Sequence, residues 1–211
     1  MSHHKHAKNH PATEAMQEWL AADVALPKTH PAVSIYGSAR IPSNHSDYQQ
    51  AEQLARKLSD AGFAVISGGG PGIMEAANKG AFAGASQAVG LNIVLPHEQH
   101  PNPYQNLSLK FQHFTSRKTA FVQHSAAFIV FAGGFGTLDE LFETLVLIQT
   151  GKLPMRPVIL VGRTFWQGLL DWIEEQLVAR NLIASGDMNL LQIIDDAEEI
   201  VRVIQNSMKA A

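Results

Sequence analysis

The sequence predicts an α/β fold, Rossmann-like and doubly wound, with a mostly parallel sheet of about seven strands flanked by helices in a single domain. Three observations predict it. Short apolar runs of strand length alternate with longer runs of helical period. The strand-like runs are apolar almost throughout, the pattern of strands buried on both faces. Two glycine-rich turns, Ser67-Gly68-Gly69-Gly70-Pro71-Gly72 and Ala132-Gly133-Gly134-Phe135-Gly136-Thr137, each join a strand-like run to a helix-like one.

The elements follow in order. Residues 1–11 read as a disordered, His-rich leader, in which the irregular spacing of His3, His4, His6 and His10 argues against a metal site. Residues 12–31 hold a short helix over Thr13 to Ala25, with Met16, Trp19 and Leu20 as its apolar stripe, and a linker bracketed by Pro27 and Pro31. The main α/β domain spans residues 32–211. Its strands are predicted at Ala32 to Tyr36, Phe63 to Ile66, Ala88 to Leu95, Leu107 to His113, Ala126 to Phe131, Pro157 to Val161 and Leu190 to Ile194. Helices are predicted at Asp47 to Ala61, stopped by Gly62, and at Gly72 to Phe82, Ser116 to His124, Thr137 to Gln149, Phe165 to Ala179 and Ala197 to Met208. A Pro/Asn-rich loop covers His97 to Asn106.

Composition narrows the function. The chain has 211 residues, enough for one domain with a full core, and its 45% apolar and 17% charged content is that of a compact globular protein. A formal net charge of -3 gives no basic surface for nucleic acid. With no cysteine there is no thiol catalysis and no cysteine-held metal. No apolar run approaches the ~20 residues of a membrane span, and the N-terminus is unlike a signal peptide, so the expected location is the cytoplasm.

In an open parallel sheet, ligands bind beyond the carboxyl ends of the strands. Gly37-Ser38, both glycine turns and the segment after His113 all follow strands and are expected at one sheet edge. Glycine lets the backbone approach a ligand, and the free N–H groups at a helix start favour an anion. A phosphate on Gly133, Gly134, Gly136 and Thr137 is the functional reading; a tight turn with nothing bound is the structural one. Neither turn completes G-x-G-x-x-G or ends in Gly-Lys-Ser/Thr, which disfavours a hydride-transfer enzyme and a P-loop NTPase. Thr137-Leu138-Asp139-Glu140 matches a capping box, so Glu140 has a structural explanation beside a catalytic one. Arg117 and Lys118 follow a plausible cap, Thr115-Ser116, and place two cations in the first turn of a helix, where the dipole opposes them. Broken local rules of this kind gather at functional sites. Ser38 has the chemistry to donate to a ligand and Met74 to touch a base, although a serine after a strand is more often turn chemistry and a methionine at that spacing more often core. Glu75 and Asn78 read as helix-surface polarity, and His113 and His124 as non-catalytic.

Taken together, the run Gly68-Gly69-Gly70-Pro71-Gly72-Ile73-Met74-Glu75-Ala76-Ala77-Asn78-Lys79-Gly80-Ala81, then Arg117-Lys118, then Gly133-Gly134-Phe135-Gly136-Thr137-Leu138-Asp139-Glu140 resembles the LONELY GUY (LOG) family. The resemblance runs from about Val33 to the C-terminus, and the family signature Pro-Gly-Gly-x-Gly-Thr-x-x-Glu is kept except that Ala132 replaces the leading Pro. The first glycine turn is similar to the longer, Gly-Pro-Gly-containing branch. Members hydrolyse cytokinin riboside 5′-monophosphates and related nucleotides, and many once carried a lysine decarboxylase label. The resemblance implies catalytic roles for Arg117 and Glu140. It implies substrate contacts from Ser38, Gly69, Gly70, Met74, Lys118, Gly133, Gly134, Gly136 and Thr137. It implies no metal and no organic cofactor, a purine nucleoside monophosphate as the partner, and a homodimer or higher homo-oligomer with its site near a subunit interface. The alternative is a nucleotide-binding sensor or scaffold without catalysis, in which Glu140 is only a cap.

Overall fold

The computed structural model describes residues 10–29, 31–96 and 100–210. Residues 1–9, with His3, His4 and His6, lie outside the described residues, as does part of the loop read at His97 to Asn106. Seven strands form one sheet: β1 (Ala32–Tyr36), β2 (Ala64–Ser67), β3 (Ala88–Ile93), β4 (Leu107–Phe111), β5 (Ala127–Val130), β6 (Val158–Leu160) and β7 (Leu191–Ile193). Every pairing is parallel, in the order β4-β3-β2-β1-β5-β6-β7. The chain builds outward from β1 through β2 and β3 to β4, then crosses back to β5 beside β1. The switch in strand order therefore falls between β1 and β5, where an open parallel sheet offers its crevice.

Among the described residues, seven α-helices cover the two faces: α1 (Pro11–Ala25), α2 (Ser46–Asp60), α3 (Ile73–Phe82), α4 (Phe114–Gln123), α5 (Phe135–Gln149), α6 (Arg163–Trp172) and α7 (Ala197–Ala210). Alternate residues of β1 sort them. Val33 and Ile35 point into a core shared with Leu54 and Leu58 of α2, Ile73 and Ala77 of α3, and Ile200 and Ile204 of α7. Ala32 and Tyr36 point into a second core with Ala22 of α1, Phe121 of α4, Leu141 and Ile148 of α5, and Trp166 of α6. Burial on both sides explains why β1, β2 and β5 read as unbroken apolar runs.

Three expectations change. The first helix starts at Pro11, capped by the His10 side chain. Its stripe is not the buried face: Met16 and Leu20 are exposed, and the helix packs inward through Ala22. Single-sequence periodicity cannot tell which apolar row meets a partner when the row is short. The helix read to Ala179 is α-helical only to Trp172 and continues as a π-helical turn, Ile173–Val178.

One glycine ties the fold to the site. Gly72 precedes α3 at φ 66°, a left-handed conformation, and a Cβ there would stand 2.3 Å from the Ser38 carbonyl oxygen. That oxygen accepts from Ile73 N at 3.0 Å, joining the turn after β1 to the start of α3. Gly72→Ala is therefore expected to destabilise the protein by about 1–3 kcal/mol, measured by urea unfolding; a loss under about 0.5 kcal/mol would show that the junction has room.

Candidate functional site

A cleft of about 650 Å³ opens at the carboxyl ends of the central strands. Gly37, Ser38 and Arg40, from the turn after β1, line one side, and Gly134, Phe135, Gly136 and Thr137, from the start of α5, line another. Gly68 and Met74 form part of the floor, Ile93, Leu95 and Phe114 an apolar wall, and Arg117 and Glu140 reach in from α4 and α5.

The second glycine turn is open to a ligand. Helix α5 begins at Phe135 with Gly134 as its N-cap, and no side chain caps it. The first-turn N–H groups at Phe135, Gly136 and Thr137 have no acceptor within the helix, because none exists one turn earlier. Gly133 serves the turn from behind. It does not line the cleft, and a Cβ on it would lie 2.2 Å from Thr137 Oγ1.

The first glycine turn is closed. Gly69 and Gly70 are buried and stand outside the cleft lining. Asn102 Nδ2 donates to both their carbonyls at 3.0 Å, Gln105 Nε2 donates to Gly69 O at 2.9 Å, and Gly69 N donates to Ser67 Oγ at 3.0 Å. Of this turn only Gly68 faces the cleft, in contact with Met74 and near Arg117 Nη1. Asn78 is no surface residue. It is fully buried in the same network, accepting from Ser67 and Asn102 and donating to Val89 O. Glu75 accepts from Tyr48 instead of facing the cleft.

Glu140 is not a cap. Because α5 starts at Phe135, Thr137 lies inside the first turn and the capping-box register is lost. Its side chain is 13% exposed, and Oε1 accepts from Arg117 Nη2 at 3.0 Å. Oε2 accepts no hydrogen bond among the described residues. Burial drives the Glu140 carboxyl up to about 7. Arg117 pulls it down without overcoming that cost, and Asp139 adds to the rise while Lys118 opposes it.

Arg117 is the fourth residue of α4, which starts at Phe114 with His113 as N-cap; Thr115-Ser116 is not the cap. The Arg117 guanidinium is 5.3 Å from the Phe114 ring centre and 5.7 Å from that of Phe121, close enough for cation–π contact. Desolvation lowers its pKa, and Glu140 works the other way. Its Nε–H is buried and makes no hydrogen bond among the described residues. Lys118 stands just outside the lining, between Asp139 at 3.2 Å and Glu143 at 2.8 Å. Burial works against the Lys118 ammonium, but the two carboxylates outweigh it and its pKa is raised.

The structure thus brings Ser38, Met74, Gly134, Gly136, Thr137, Arg117 and Glu140 to one cleft and leaves Gly69, Gly70, Gly133 and Lys118 behind or beside it. Sequence reading missed Arg40 and the wall of Ile93, Leu95 and Phe114. Arg40 follows Ala39 directly after the Gly37-Ser38 turn, so its place at the end of β1 was the available signal.

The sequence model of the family described as "Possible lysine decarboxylase" matches residues 74–204, which include Arg117 and Glu140. A second, "DNA recombination-mediator protein A", matches residues 16–123 and stops before the second glycine turn. The chain is 30% identical over 176 residues to the pyrimidine/purine nucleotide 5′-monophosphate nucleosidase of Escherichia coli (strain K12), covering 78% of this chain and 38% of that protein. It is 26% identical over 170 residues to a cytokinin riboside 5′-monophosphate phosphoribohydrolase of Arabidopsis thaliana, covering 77% of this chain and 78% of that one. Among solved structures, the molybdenum cofactor carrier protein of Chlamydomonas reinhardtii superposes with a TM-score of 0.62 at 18% identity, over 85% of this chain and 98% of that one. At that identity the likeness concerns the fold.

Glu140 makes a pH-dependent contribution to stability. Its carboxyl titrates at about 7 in the folded protein against an ordinary value of 4.5, so the folded state favours the protonated form. The contribution is full below about pH 4.5 and is lost as pH rises through about 7. Relative to Glu140→Gln, the wild-type protein is expected to lose on the order of 3 kcal/mol across that window, read by urea unfolding at a series of pH values. A difference that stays flat across the window would show that Glu140 ionises as easily folded as unfolded.

Proposed function

The chain belongs to the LONELY GUY family, and from that premise we propose that it hydrolyses the N-glycosidic bond of a purine nucleoside 5′-monophosphate, AMP-like or cytokinin, giving free base and ribose 5-phosphate. The observation that carries the reading is the buried Arg117–Glu140 pair, set between an open helix N-terminus and an apolar wall. That spacing suits the three parts of a mononucleotide.

The phosphate sits on the N–H groups of Gly134, Gly136 and Thr137, which the α5 dipole favours, with Gly133 supporting the turn and Ser38 and Arg40 at its rim. The base lies against Met74, Ile93, Leu95 and Phe114, where stacking and apolar contact hold it. The anomeric carbon then falls beside Glu140. As the C1′–N bond breaks, its electron pair leaves with the base and the sugar gains oxocarbenium character. The Glu140 carboxylate stabilises that charge and takes a proton from the attacking water, whose oxygen bonds to C1′. The proton passes to the departing base nitrogen, and Arg117 stabilises the negative charge growing there with the donor that no protein group uses. Lys118 neutralises Asp139 and Glu143, which would otherwise push the Glu140 carboxyl still higher.

No step in this chemistry calls for a metal or an organic cofactor. A decarboxylase acting through a lysine Schiff base would need a lysine in the cleft, and among the described residues none lines it. A non-catalytic nucleotide-binding module would use the same turn; binding of AMP without release of adenine would favour it. The protein acts in the cytoplasm as a homodimer or larger assembly. The apolar stripe of Phe135, Phe142 and Val146 on α5, beside the site and respectively 92%, 37% and 53% exposed, suits a second copy of the chain.

Incubation with AMP is expected to release adenine and ribose 5-phosphate, and a panel of nucleoside monophosphates scored by released base ranks the substrates. Glu140→Gln should bind nucleotide and lose about 10²–10⁴-fold in turnover; full activity would remove its role. In the wild-type enzyme kcat/KM should rise with pH to a plateau above about 7, as the Glu140 carboxyl ionises. Arg117→Ala should lose both affinity and turnover, and unchanged KM and kcat would show that Arg117 does not touch the nucleotide.

A further inference from the structure

Helix α4 presents Arg117 to the cleft, yet nothing in its own sequence caps it: His113 makes no side-chain cap hydrogen bond. The cap comes from α1. Glu18 Oε1 accepts from Gln112 N at 2.6 Å, and Oε2 accepts from His113 N at 3.3 Å and from Ser116 Oγ at 2.6 Å. One carboxylate thus gathers two backbone donors and the hydroxyl of the residue before Arg117, from a position 98 residues away in the chain. It also places a negative charge at a helix start that carries two cations, where its own sequence offers no acidic residue. A second α1 carboxylate, Glu14, stands 3.6 Å from His113 Nε2 at the same turn, and further contacts hold α1 along the rest of α4. Trp19 Nε1 donates to Gln123 Oε1 at 2.8 Å, and Asp23 pairs with His124 at 3.3 Å, both at the far end of α4.

The position of Arg117 needs such help. Its guanidinium makes one hydrogen bond to protein, to Glu140, and is otherwise bounded by the faces of Phe114 and Phe121, which do not fix its reach. Where it stands is set by the backbone of the first turn of α4. We propose that Glu18 is a positioning residue: from α1 it holds the two backbone N–H groups leading into α4 and the Ser116 hydroxyl in its first turn, and so fixes where Arg117 meets Glu140. The N-terminal helix then forms part of the working site without touching the ligand. This deepens the hydrolase reading and rests on it only for the kinetic arm of the test.

The decisive measurement is the titration of the Glu140 carboxyl, followed by carbon NMR in the full chain and assigned with Glu140→Gln. The charged and titratable groups around Glu140 are Arg117 and Lys118 from α4, Asp139 and Glu143 from α5, and the Tyr36 hydroxyl from β1. Arg117 holds the carboxyl down, so loss of its alignment in Glu18→Ala is expected to move the midpoint to higher pH. Removal of the Glu18 negative charge acts in the opposite direction, so an upward shift reports Arg117. Glu18→Gln keeps one acceptor for the Gln112 N–H and should fall between the two. Ser116→Ala removes one arm of the cap and should shift the same way by less, which keeps the test available if Glu18→Ala does not fold. Asp23→Asn loosens α1 at the other end and should lower stability without moving the midpoint. In the kinetic arm, Glu18→Ala should lower kcat/KM for AMP on the order of 10- to 100-fold, with Glu18→Gln partly restoring it. An unmoved Glu140 midpoint in Glu18→Ala, or an equal shift in Asp23→Asn, overturns the proposal. A wild-type protein that releases no base overturns the hydrolase reading alone, because the titration still decides the role of Glu18.

Discussion

The buried contact between Arg117 and Glu140 is the constraint around which the rest of the site is arranged. Two unlike charges, brought from consecutive helices on either side of β5, meet at the switch in strand order, largely out of water. Such a pair does not stabilise a protein for nothing. Each ion gives up hydration, and Coulomb attraction returns it only in part. Both side chains register that cost, the carboxyl pushed up and the guanidinium pulled down, each by burial first. The surroundings distribute the load. Two aromatic rings flank the cation, Lys118 offsets the neighbouring carboxylates, and Glu18 secures the turn from which Arg117 springs.

The two glycine turns look alike in sequence and do different work. The turn before α5 leaves its amides facing the cleft. In the turn before α3, side-chain amides of Asn102 and Gln105 satisfy the carbonyls of Gly69 and Gly70, and Asn78 and Asn92 extend the network beneath them. A fully satisfied buried network is rigid. That turn is a floor, and it carries Gly68 and Met74 up to the ligand-facing surface without contributing Gly69 or Gly70 to it.

The parts legible from the sequence were those set by local rules. The mostly parallel sheet follows from strand–helix alternation, and the open turn from glycine before a helical run. Arg117 stood out because two cations at a helix start violate a local preference. Misreadings arose where a local rule had two solutions or where the partner was distant. Thr137 and Glu140 have capping-box spacing, but the helix begins two residues before Thr137 and frees the carboxylate. Asn78 falls at a position that could have faced solvent, and only Asn102, 24 residues on, shows that it is buried. The cap on α4 cannot be found near α4 at all, since its acceptor belongs to the first helix of the chain.

In the proposed hydrolysis, the state of Glu140 would let an ion pair serve a reaction that generates a cation. A carboxylate held by several strong donors would be stable, deeply ionised and spent, with little left for a passing positive charge. Among the described residues Glu140 has one donor on one oxygen, and burial raises its carboxyl pKa to about 7. On the proposed mechanism, a sugar that became positive beside the second oxygen would meet an ionised carboxylate that is poorly screened and poorly solvated, the condition under which electrostatic stabilisation is strongest. Arg117, whose Nε–H has no acceptor among the described residues, would supply the opposite sign on the leaving side. The incomplete satisfaction of the pair is a cost to the folded chain, and under the proposed reaction it is what would suit the pair to a substrate that separates charge as its bond breaks.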